Sequence, residues 1–404
     1  MRRRLVIAGC GPVGLLAALV LSDLFEQVDV LERRLSGQAQ SDAVSRSLQL
    51  VLSARGWAAL ERGRVADVIR SRAQPIRGRV HLGTGAFSPY SPHGDAIYAV
   101  ARDQLQTLLE EAVSAHRNVR LRYGHEVVTA DSRGRTVSVQ TPDGPRRFDF
   151  DLLVGADGVR SNVAESLHPR GGLRLEVARQ VYREVHLSAW PFRPDAFHFI
   201  GDGEILVGGF PARGGGGGLF VMHPQSADEA LFDPSSGRSV LDRLPRLREA
   251  FGAALLADWA AVEVGVMGSK TCARWTADGA VALAGDAAHA VLPFMGQGLN
   301  VGLEDVIALD ACLRDGGGDP LTRYAALRRP EADAIRAISA RHARLLFGAR
   351  TEAEQARDQR VQDELARQGW PDSYCAAAFT RTPFSEIRRR ELIAERALES
   401  ARIA

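Results

Sequence analysis

A strand followed by a glycine-rich turn and a helix opens the chain and constrains its fold more than any other feature. The apolar run RLVIA leads into GCGPVG, which matches the GxGxxG pattern, and a helical pattern then leads into VDVLE. Gly9, Gly11 and Gly14 permit a tight turn and let a pyrophosphate approach the helix N-terminus. Glu32 ends the second strand, at the spacing of a carboxylate that accepts from ribose hydroxyls. The sequence therefore predicts a βαβ unit that binds a dinucleotide.

The rest of the chain divides into strand-rich and helix-rich stretches. At 404 residues it is too long for one ordinary core, so two or three packed units are expected. The order of patterns predicts an α/β fold: a Rossmann-type nucleotide-binding domain interleaved with a mostly antiparallel β-sheet domain, plus a helical C-terminal region. The predicted boundaries are 1–72, 98–175 and 268–330 for the nucleotide-binding domain, 73–97 and 176–267 for the sheet domain, and 331–404 for the helical region.

Composition argues against several classes of protein. The formal net charge of +2 is too balanced to indicate a nucleic-acid partner. The single lysine, Lys270, is the only residue that Schiff-base chemistry would have available. The four cysteines form no CxxC pair, so no metal site is expected. No apolar run approaches the roughly 20 residues that cross a bilayer, and no secretory signal is evident, so we expect a cytoplasmic protein without a membrane anchor.

Two further glycine-rich segments follow predicted strands. VGADGVRS contains Asp157 and opens a helix, and GDAAHAVLPFMGQGLN contains Asp286 and leads into a helix near Gly298. Together with GxGxxG, in this order and spacing, these segments resemble the GxGxxG, DG and GD motifs of the class A flavin monooxygenases, the aromatic hydroxylases. The resemblance implies an FAD-binding domain and a substrate-binding sheet domain. It also implies NAD(P)H as a transiently bound co-substrate, with NADPH favoured.

The resemblance assigns the cofactor contacts by position. It implies that Asp157 belongs to the DG motif and that Asp286 holds the ribityl–phosphate part of FAD. The backbone of 293–300 would pass the isoalloxazine ring, with two of its amides near the pyrimidine edge, and a helix N-terminus there would stabilise the reduced flavin. The implied contacts are Gly9, Gly11, Gly14, Glu32, Arg34, Arg102, Val127, Asp157, Asp286, Pro293, Gly296, Gly298, Leu299 and Asn300.

The chain is more specifically similar to kynurenine 3-monooxygenases. RSLQLVLSARG at 46–56, PIRGRVH at 75–81 and PFMGQGLN at 293–300 resemble segments of that family. By resemblance, Arg79, Tyr90 and Tyr374 bind the carboxylate of an amino-acid substrate. An Arg fork with a phenol suits a carboxylate chemically. Phe294 and Met295 are candidate walls for the aromatic ring or, alternatively, core residues.

One part of the C-terminal region departs from that family. Where its members usually have an Asn and then a Glu near the polar tail of the substrate, this chain aligns His342 and Leu345. A carboxylate that would accept from an ammonium is then missing, and burial of an unpaired ammonium is unfavourable. Either His342 compensates or the substrate lacks a free amine. A shift of one helical turn in the alignment would remove this argument.

The expected activity follows from the implied cofactor. FAD reduced by NAD(P)H would react with O₂ and hydroxylate a small aromatic acid, derived from tryptophan or kynurenine, through a flavin C4a-hydroperoxide. No catalytic side chain is assigned, because the flavin carries the chemistry. A hydroxylase of a related indole or anthraniloyl compound is the alternative, and a flavin reductase or a non-catalytic flavin-binding protein is less favoured. The protein would be a monomer or a homodimer.

Overall fold

The computed structural model describes residues 2–35, 49–91, 94–224, 242–246, 248–249, 262, 264–347 and 351–403. Its strands are β1 (Arg2–Ala8), β2 (Phe25–Glu32), β3 (Gln49–Leu52), β4 (Gln74–Ile76), β5 (Gly78–His81), β6 (Phe87–Pro89), β7 (Ile97–Ala101), β8 (Val119–Tyr123), β9 (Glu126–Asp131), β10 (Thr136–Thr141), β11 (Gly144–Asp149), β12 (Leu152–Gly155), β13 (Leu173–Leu187), β14 (Ala196–Gly201), β15 (Leu206–Pro211), β16 (Gly217–Pro224), β17 (Gly265–Cys272), β18 (Thr276–Ala277) and β19 (Val281–Leu283). Its helices are α1 (Pro12–Leu21), α2 (Ala54–Arg62), α3 (Ala66–Arg70), α4 (Arg102–Ser114), α5 (Asn162–Leu167), α6 (Gly298–Asp315), α7 (Pro320–Leu346), α8 (Glu352–Arg367), α9 (Ser373–Phe379) and α10 (Phe384–Ile403).

A mainly parallel sheet forms the centre of the nucleotide-binding part. Its strand order is β18-β19-β12-β1-β2-β8, and only the β18–β19 pair is antiparallel. Apolar runs such as LLVG in β12 are buried throughout, as expected of parallel strands between helices. The carboxyl ends of β1, β12 and β19 are neighbours. The three glycine-rich segments therefore meet at one edge of the sheet, where open α/β sheets bind ligands.

A second, larger sheet is mostly antiparallel. Its order is β17-β13-β16-β15-β14-β5-β6, and β14 and β5 are its parallel pair. Two three-stranded antiparallel sheets, β11-β10-β9 and β3-β7-β4, complete the strands. Five helices, α6 to α10, fill most of the chain from residue 298 onward. The fold predicted from the sequence, a parallel nucleotide-binding sheet with a mostly antiparallel sheet and C-terminal helices, is confirmed.

The long helix α7 organises the C-terminal region. Asp319 caps its first turn by accepting from the Leu321 N–H at 3.0 Å, and Pro320 occupies the first position, where a missing N–H costs nothing. Ile335 and Ile338 on this helix pack with Phe384 of α10 in a buried cluster. No helix within the described ranges is long and apolar enough to cross a membrane.

A buried carboxylate joins three of these helices. Glu391 of α10 has a side chain only 2% exposed. One of its oxygens accepts from Arg341 Nη1 of α7 at 2.9 Å and from the Ser373 hydroxyl of α9 at 2.5 Å. The other accepts from Arg388 Nη1 at 2.9 Å. Because a buried carboxylate is stable only when it is paired, this contact fixes α7, α9 and α10 relative to one another.

We expect Glu391→Ala to lower the free energy of unfolding by about 3 kcal/mol, because it leaves Arg341 and Ser373 without their shared buried acceptor. The matched control is Glu386→Ala on the same helix, whose partners Arg389 and Arg390 are 60% and 24% exposed, and which should cost about 1 kcal/mol or less. Urea unfolding of the holoprotein measures both. Equal destabilisation by the two variants would show that Glu391 does not join the helices in this way.

Candidate active site

The turn between β1 and α1 is shaped by three glycines with different surroundings. Gly9 has a φ of +100°, and a Cβ there would lie 2.4 Å from the Ala156 carbonyl oxygen. A Cβ on Gly14 would lie 2.0 Å from the Gly9 carbonyl oxygen. A Cβ on Gly11 would meet no protein atom within 4 Å. The protein itself therefore requires Gly9 and Gly14, whereas Gly11 leaves open space at the helix N-terminus.

Glu32 lies beside this turn as the sequence predicts. Its carboxylate accepts from the Cys10 N–H at 3.0 Å and from the backbone and side chain of Arg34 at 3.0 and 2.8 Å. Burial opposes ionisation, but the hydrogen bonds and charge of Arg34 outweigh it and hold the pKa of Glu32 below its usual value. Glu32 is therefore an ionised acceptor at the end of β2, suited to ribose hydroxyls.

Charged groups from three segments converge on the edge of the parallel sheet. Asp286 is exposed in a short 3₁₀ turn, Gly285–Ala287, and is the carboxylate that acts most strongly on Arg102 at the start of α4. Lys270 is 4% exposed and donates to the Val159 carbonyl at 2.9 Å in the DG segment. Burial lowers its pKa, and Asp157 and Asp286 both act against that shift.

Asp157 is held at the start of α5 with one oxygen still available. Its Oδ2 accepts from the Val163 N–H at 3.2 Å, while its Oδ1 is buried with no hydrogen-bond partner among the described residues. Burial raises the pKa of this carboxyl. Val127, predicted as a further contact, is buried on β9, and its carbonyl accepts from the Asn162 side chain at 2.8 Å. It therefore supports the first residue of α5.

The fully buried Asp305 anchors the GD loop. Its Oδ2 accepts from the Gly285 N–H at 2.9 Å and from His289 Nε2 at 2.6 Å, and its Oδ1 accepts from Arg328 Nε at 2.8 Å. The Trp275 ring stacks on His289 with centroids 5.0 Å apart. Burial opposes ionisation of Asp305, but His289 and Arg328 outweigh it and keep its pKa below the usual value. One carboxylate thus connects the loop, α6 and α7.

The segment from 293 to 300 bends sharply and then starts α6. Pro293 opens a 3₁₀ turn that ends at Gly296, whose φ is +63°. The Asn300 side chain accepts from the Ser53 N–H at 2.9 Å and donates to the Val51 and Gly296 carbonyls, each at 2.9 Å. Asn300 therefore ties the N-terminus of α6 to the end of β3, a structural role that the sequence did not reveal.

The two candidate wall residues have different surroundings. Met295 is 3% exposed and packs against Val301 and Ile335 in the C-terminal core. Phe294 is half-buried, and its ring lies 5.5 Å from that of Phe347. Phe294 packs against a separate apolar cluster that includes Met267 and Phe347. Gly298 is half-buried as the first residue of α6, and Leu299 is half-buried beside it.

Four residues predicted to bind substrate come together in space, and we call them the acid pocket: Arg79, Tyr90, His342 and Tyr374. The Tyr90 and Tyr374 rings lie 5.4 Å apart with their hydroxyls hydrogen-bonded, and the His342 ring stacks on Tyr374 at 6.5 Å. Arg79 acts electrostatically on all three. Burial raises the pKa of both phenols, so both remain protonated hydrogen-bond donors.

Local structure explains how the acid pocket assembles. Arg79 lies on β5 and Tyr90 just after β6, and these strands form an antiparallel hairpin in which Tyr90 N–H donates to the Arg77 carbonyl at 3.0 Å. Helix α9 brings Tyr374 alongside, and Cys375 Sγ contacts the Tyr90 carbonyl at 3.4 Å. Arg79 is exposed, and no carboxylate pairs with it within the described part of the chain.

Sequence reasoning missed the residues that hold these elements. Asp305, Arg328 and Glu391 carry no motif that distinguishes them from surface charges, and only their burial reveals them. The contact between Lys270 and the DG segment was also missed. Lys270 is the one lysine in the sequence, and that alone could have marked it as a residue with a specific role. The segment 46–48, part of the run that resembles kynurenine 3-monooxygenases, lies outside the described residues.

Comparisons with known proteins agree with this geometry. The model of the FAD binding domain family matches residues 3–339. A kynurenine 3-monooxygenase from Salinispora arenicola (strain CNS-205) is 31% identical over 430 residues, covering 99% of this chain and 93% of the relative. The enzyme of that name from Stenotrophomonas maltophilia (strain K279a) is 28% identical, covering 96% of this chain and 90% of its own length.

Two solved structures share the fold. The tetrameric form of 2-methyl-3-hydroxypyridine-5-carboxylic acid oxygenase matches with a TM-score of 0.71 and 22% identity, covering 85% of this chain and 91% of its own. PqsL from P. aeruginosa, in complex with 2-aminobenzoylacetate, matches with a TM-score of 0.67 and 24% identity, covering 83% and 94%. At these identities the likeness shows the fold alone.

The nucleotide-binding sheet, its three glycine-rich segments and these matches define an FAD-dependent monooxygenase. Within that class, the chain belongs to the kynurenine 3-monooxygenase family. The predicted resemblance is confirmed.

We expect Asp305→Asn to lower the free energy of unfolding by about 3 kcal/mol at pH 7, because buried Arg328 loses the more buried of its two anionic partners and keeps only Glu304. The folded pKa of Asp305 is depressed, so its contribution is present above the unfolded pKa of about 3.9 and is lost as pH falls through the folded value. The difference between wild type and variant should therefore shrink below pH 4. Urea unfolding between pH 3 and pH 7 measures it.

Asp310→Asn is the control for this experiment. Asp310 lies on the same helix, and its partners Arg62 and Arg314 are 41% and 34% exposed, so the loss should be about 1 kcal/mol. A difference between Asp305→Asn and wild type that stays constant down to pH 3 would contradict the charged role of Asp305.

Proposed function

We propose that this protein hydroxylates an aromatic carboxylic acid derived from tryptophan or kynurenine, using NAD(P)H, with NADPH favoured, and O₂. The acid pocket is the observation that carries the proposal. Its residues come from a β-hairpin and two separate C-terminal helices, yet they meet around one uncompensated guanidinium. An Arg with two phenol donors is suited to bind a carboxylate. A hydroxylase of a related indole or anthraniloyl compound is the alternative within the same chemistry.

The residues at the sheet edge fit FAD. The open space at Gly11 leaves room for the pyrophosphate at the N-terminus of α1, and ionised Glu32 can accept from ribose hydroxyls. Asp286 and Arg102 flank the path of the ribityl–phosphate portion, and the unpartnered Oδ1 of Asp157 offers a further polar contact. We infer that these groups hold the cofactor, with Arg34 reinforcing Glu32.

Bound FAD would supply the redox chemistry of the reaction: acceptance of a hydride from NAD(P)H, activation of O₂ and oxygen transfer to the aromatic ring. The chain supplies position and environment. Arg79 and the phenols of Tyr90 and Tyr374 orient the substrate by its carboxylate, and Phe294 contributes an apolar contact for its ring. The N–H groups at the N-terminus of α6 would favour negative charge on a flavin bound beside them. Such positioning and exclusion of water keep the reducing equivalents coupled to hydroxylation.

We expect the FAD-loaded protein to oxidise NADPH faster when an aromatic acid of this class is present, and to release a product heavier by one oxygen atom. The measurement combines NADPH consumption with mass spectrometry for L-kynurenine, tryptophan, anthranilate and N-acylated kynurenine. Substrate-independent NADPH oxidation without an oxygenated product would indicate a flavin reductase, and no NADPH oxidation would indicate a flavin-binding protein without turnover.

For the accepted substrate, Arg79→Ala should raise KM about 10- to 100-fold, because a charge-assisted hydrogen bond to a carboxylate contributes about 1.5 to 3 kcal/mol. Arg77→Ala is the matched control. Arg77 lies two residues earlier and donates to the Gly94 carbonyl at 2.7 Å, away from the acid pocket. An unchanged KM in Arg79→Ala would remove Arg79 from the substrate site.

We expect Gly11→Ala to leave stability unchanged and to weaken FAD binding at least tenfold, because the added methyl occupies space that no protein atom uses. Gly14→Ala is the contrasting variant: its Cβ would collide with the Gly9 carbonyl oxygen and should destabilise the fold. Thermal unfolding of the apoproteins and fluorescence titration with FAD separate the two effects. Normal FAD affinity in Gly11→Ala would place the pyrophosphate elsewhere.

A further inference from the structure

The acid pocket combines one positively charged side chain with three neutral ones. Arg79 contributes a full positive charge. Tyr90 and Tyr374 are neutral donors, since burial raises the pKa of each phenol. His342 is also neutral at physiological pH: burial, together with the positive charges of Arg79 and Arg341, lowers its pKa to about 4. The four residues of the pocket therefore present a net charge of one positive unit.

The carboxylates nearest to His342 are engaged elsewhere. Glu391 acts on His342, but its oxygens already accept from Arg341, Ser373 and Arg388, in an ion-pair network that also includes Asp358 and Glu395. Asp372 also acts on His342. It is exposed to solvent, and its Oδ1 accepts from the Cys375 N–H at 2.9 Å as the cap of α9.

A third carboxylate lies on the outer side of the pocket. Asp95 acts on Cys375, but it is exposed and its Oδ2 accepts from the Ser91 hydroxyl at 2.6 Å. Each of these carboxylates already accepts a hydrogen bond from a group outside the acid pocket. Within the described residues, the pocket offers a substrate ammonium a neutral imidazole and two phenols, with Arg79 as the nearest uncompensated charge.

These charges favour the binding of an aromatic acid without an aliphatic ammonium group over one that carries it. A ligand with a carboxylate and no aliphatic ammonium neutralises Arg79 and leaves the occupied pocket uncharged. A zwitterion brings a second positive charge close to a guanidinium, and after water is expelled that charge has no anionic partner. Burial of an uncompensated ammonium is strongly unfavourable, and the repulsion strengthens as the local dielectric constant falls.

We propose that the acid pocket selects aromatic keto acids that carry a carboxylate but no α-ammonium group, and that His342 is the residue that sets this preference. The inference rests on the proposed function, because it takes the acid pocket as the substrate site. A carboxylate in place of the imidazole would supply an anion beside Tyr374, even though the Glu of the family aligns with Leu345 and not with His342. The neutral ring supplies only a hydrogen bond and a stacking contact with Tyr374.

The test uses two ligands that differ only in the group in question: L-kynurenine and its desamino analogue, 4-(2-aminophenyl)-4-oxobutanoate. Binding is followed by the change in flavin absorbance of the FAD-loaded protein, and turnover by oxygenated product. Wild type should bind and turn over the desamino acid with at least tenfold higher affinity and kcat/KM. Equal values, or preference for kynurenine, would overturn the proposal.

Two variants test the role of His342 itself. His342→Glu should reverse the preference by at least tenfold toward kynurenine, whereas His342→Gln, which stays neutral, should retain the preference for the desamino acid. Flavin content and thermal unfolding establish that both variants fold. A folded His342→Glu protein with the wild-type preference would overturn the assignment, as would loss of the preference in His342→Gln.

The results expected if the selectivity is wrong differ from those expected if the hydroxylation is wrong. Oxygenation of both acids without discrimination would leave the monooxygenase function intact and refute the selectivity. Selective binding of the desamino acid without any oxygenated product would refute the proposed hydroxylation and leave the selectivity standing.

Discussion

The buried carboxylate of Asp305 is the constraint on which the rest of the site depends. An ionised group with no solvent exposure is stable only if every oxygen is paired, and Asp305 achieves this with Gly285, His289 and Arg328. Gly285 and His289 belong to the GD loop and Arg328 to helix α7, while Asp305 itself lies on α6. Because the carboxylate of Asp305 must be paired, it fixes the position of the GD loop relative to helix α7.

The sequence predicted those parts of the molecule whose structure depends on residues close together in the chain. A strand, a glycine turn and a helix follow one another in the chain, so the GxGxxG, DG and GD segments could be located, and parallel strands then bring their ends together. Gly9 and Gly14 are required by contacts within the turn itself. The acid pocket has no such local cause: its members are separated by up to 295 positions, from 79 to 374. Resemblance to a family, not periodicity, brought Arg79 and Tyr374 into the prediction.

The missed residues share a physical property that a pattern cannot display. Asp305, Arg328 and Glu391 are charged side chains in helices, where the ordinary expectation is a solvated face. Their burial follows from the packing of helices distant in sequence, and their pairing follows from burial. Met295 illustrates the converse: a side chain within the predicted flavin segment packs into the core with Ile335, while Phe294 packs elsewhere, because successive residues of a 3₁₀ turn point about a third of a turn apart.

Helix α7 connects these separate observations. It carries Arg328, which holds Asp305, then Arg341, which holds Glu391, and then His342 in the acid pocket. At a rise of 1.5 Å per residue, the 14 residues from Arg328 to His342 span about 21 Å. One continuous helix, with Pro330 in its interior, therefore connects the GD loop to the acid pocket. A buried pair holds each end of that span, while Arg79 is left without a protein carboxylate in the described chain, as the proposed binding of an acid requires.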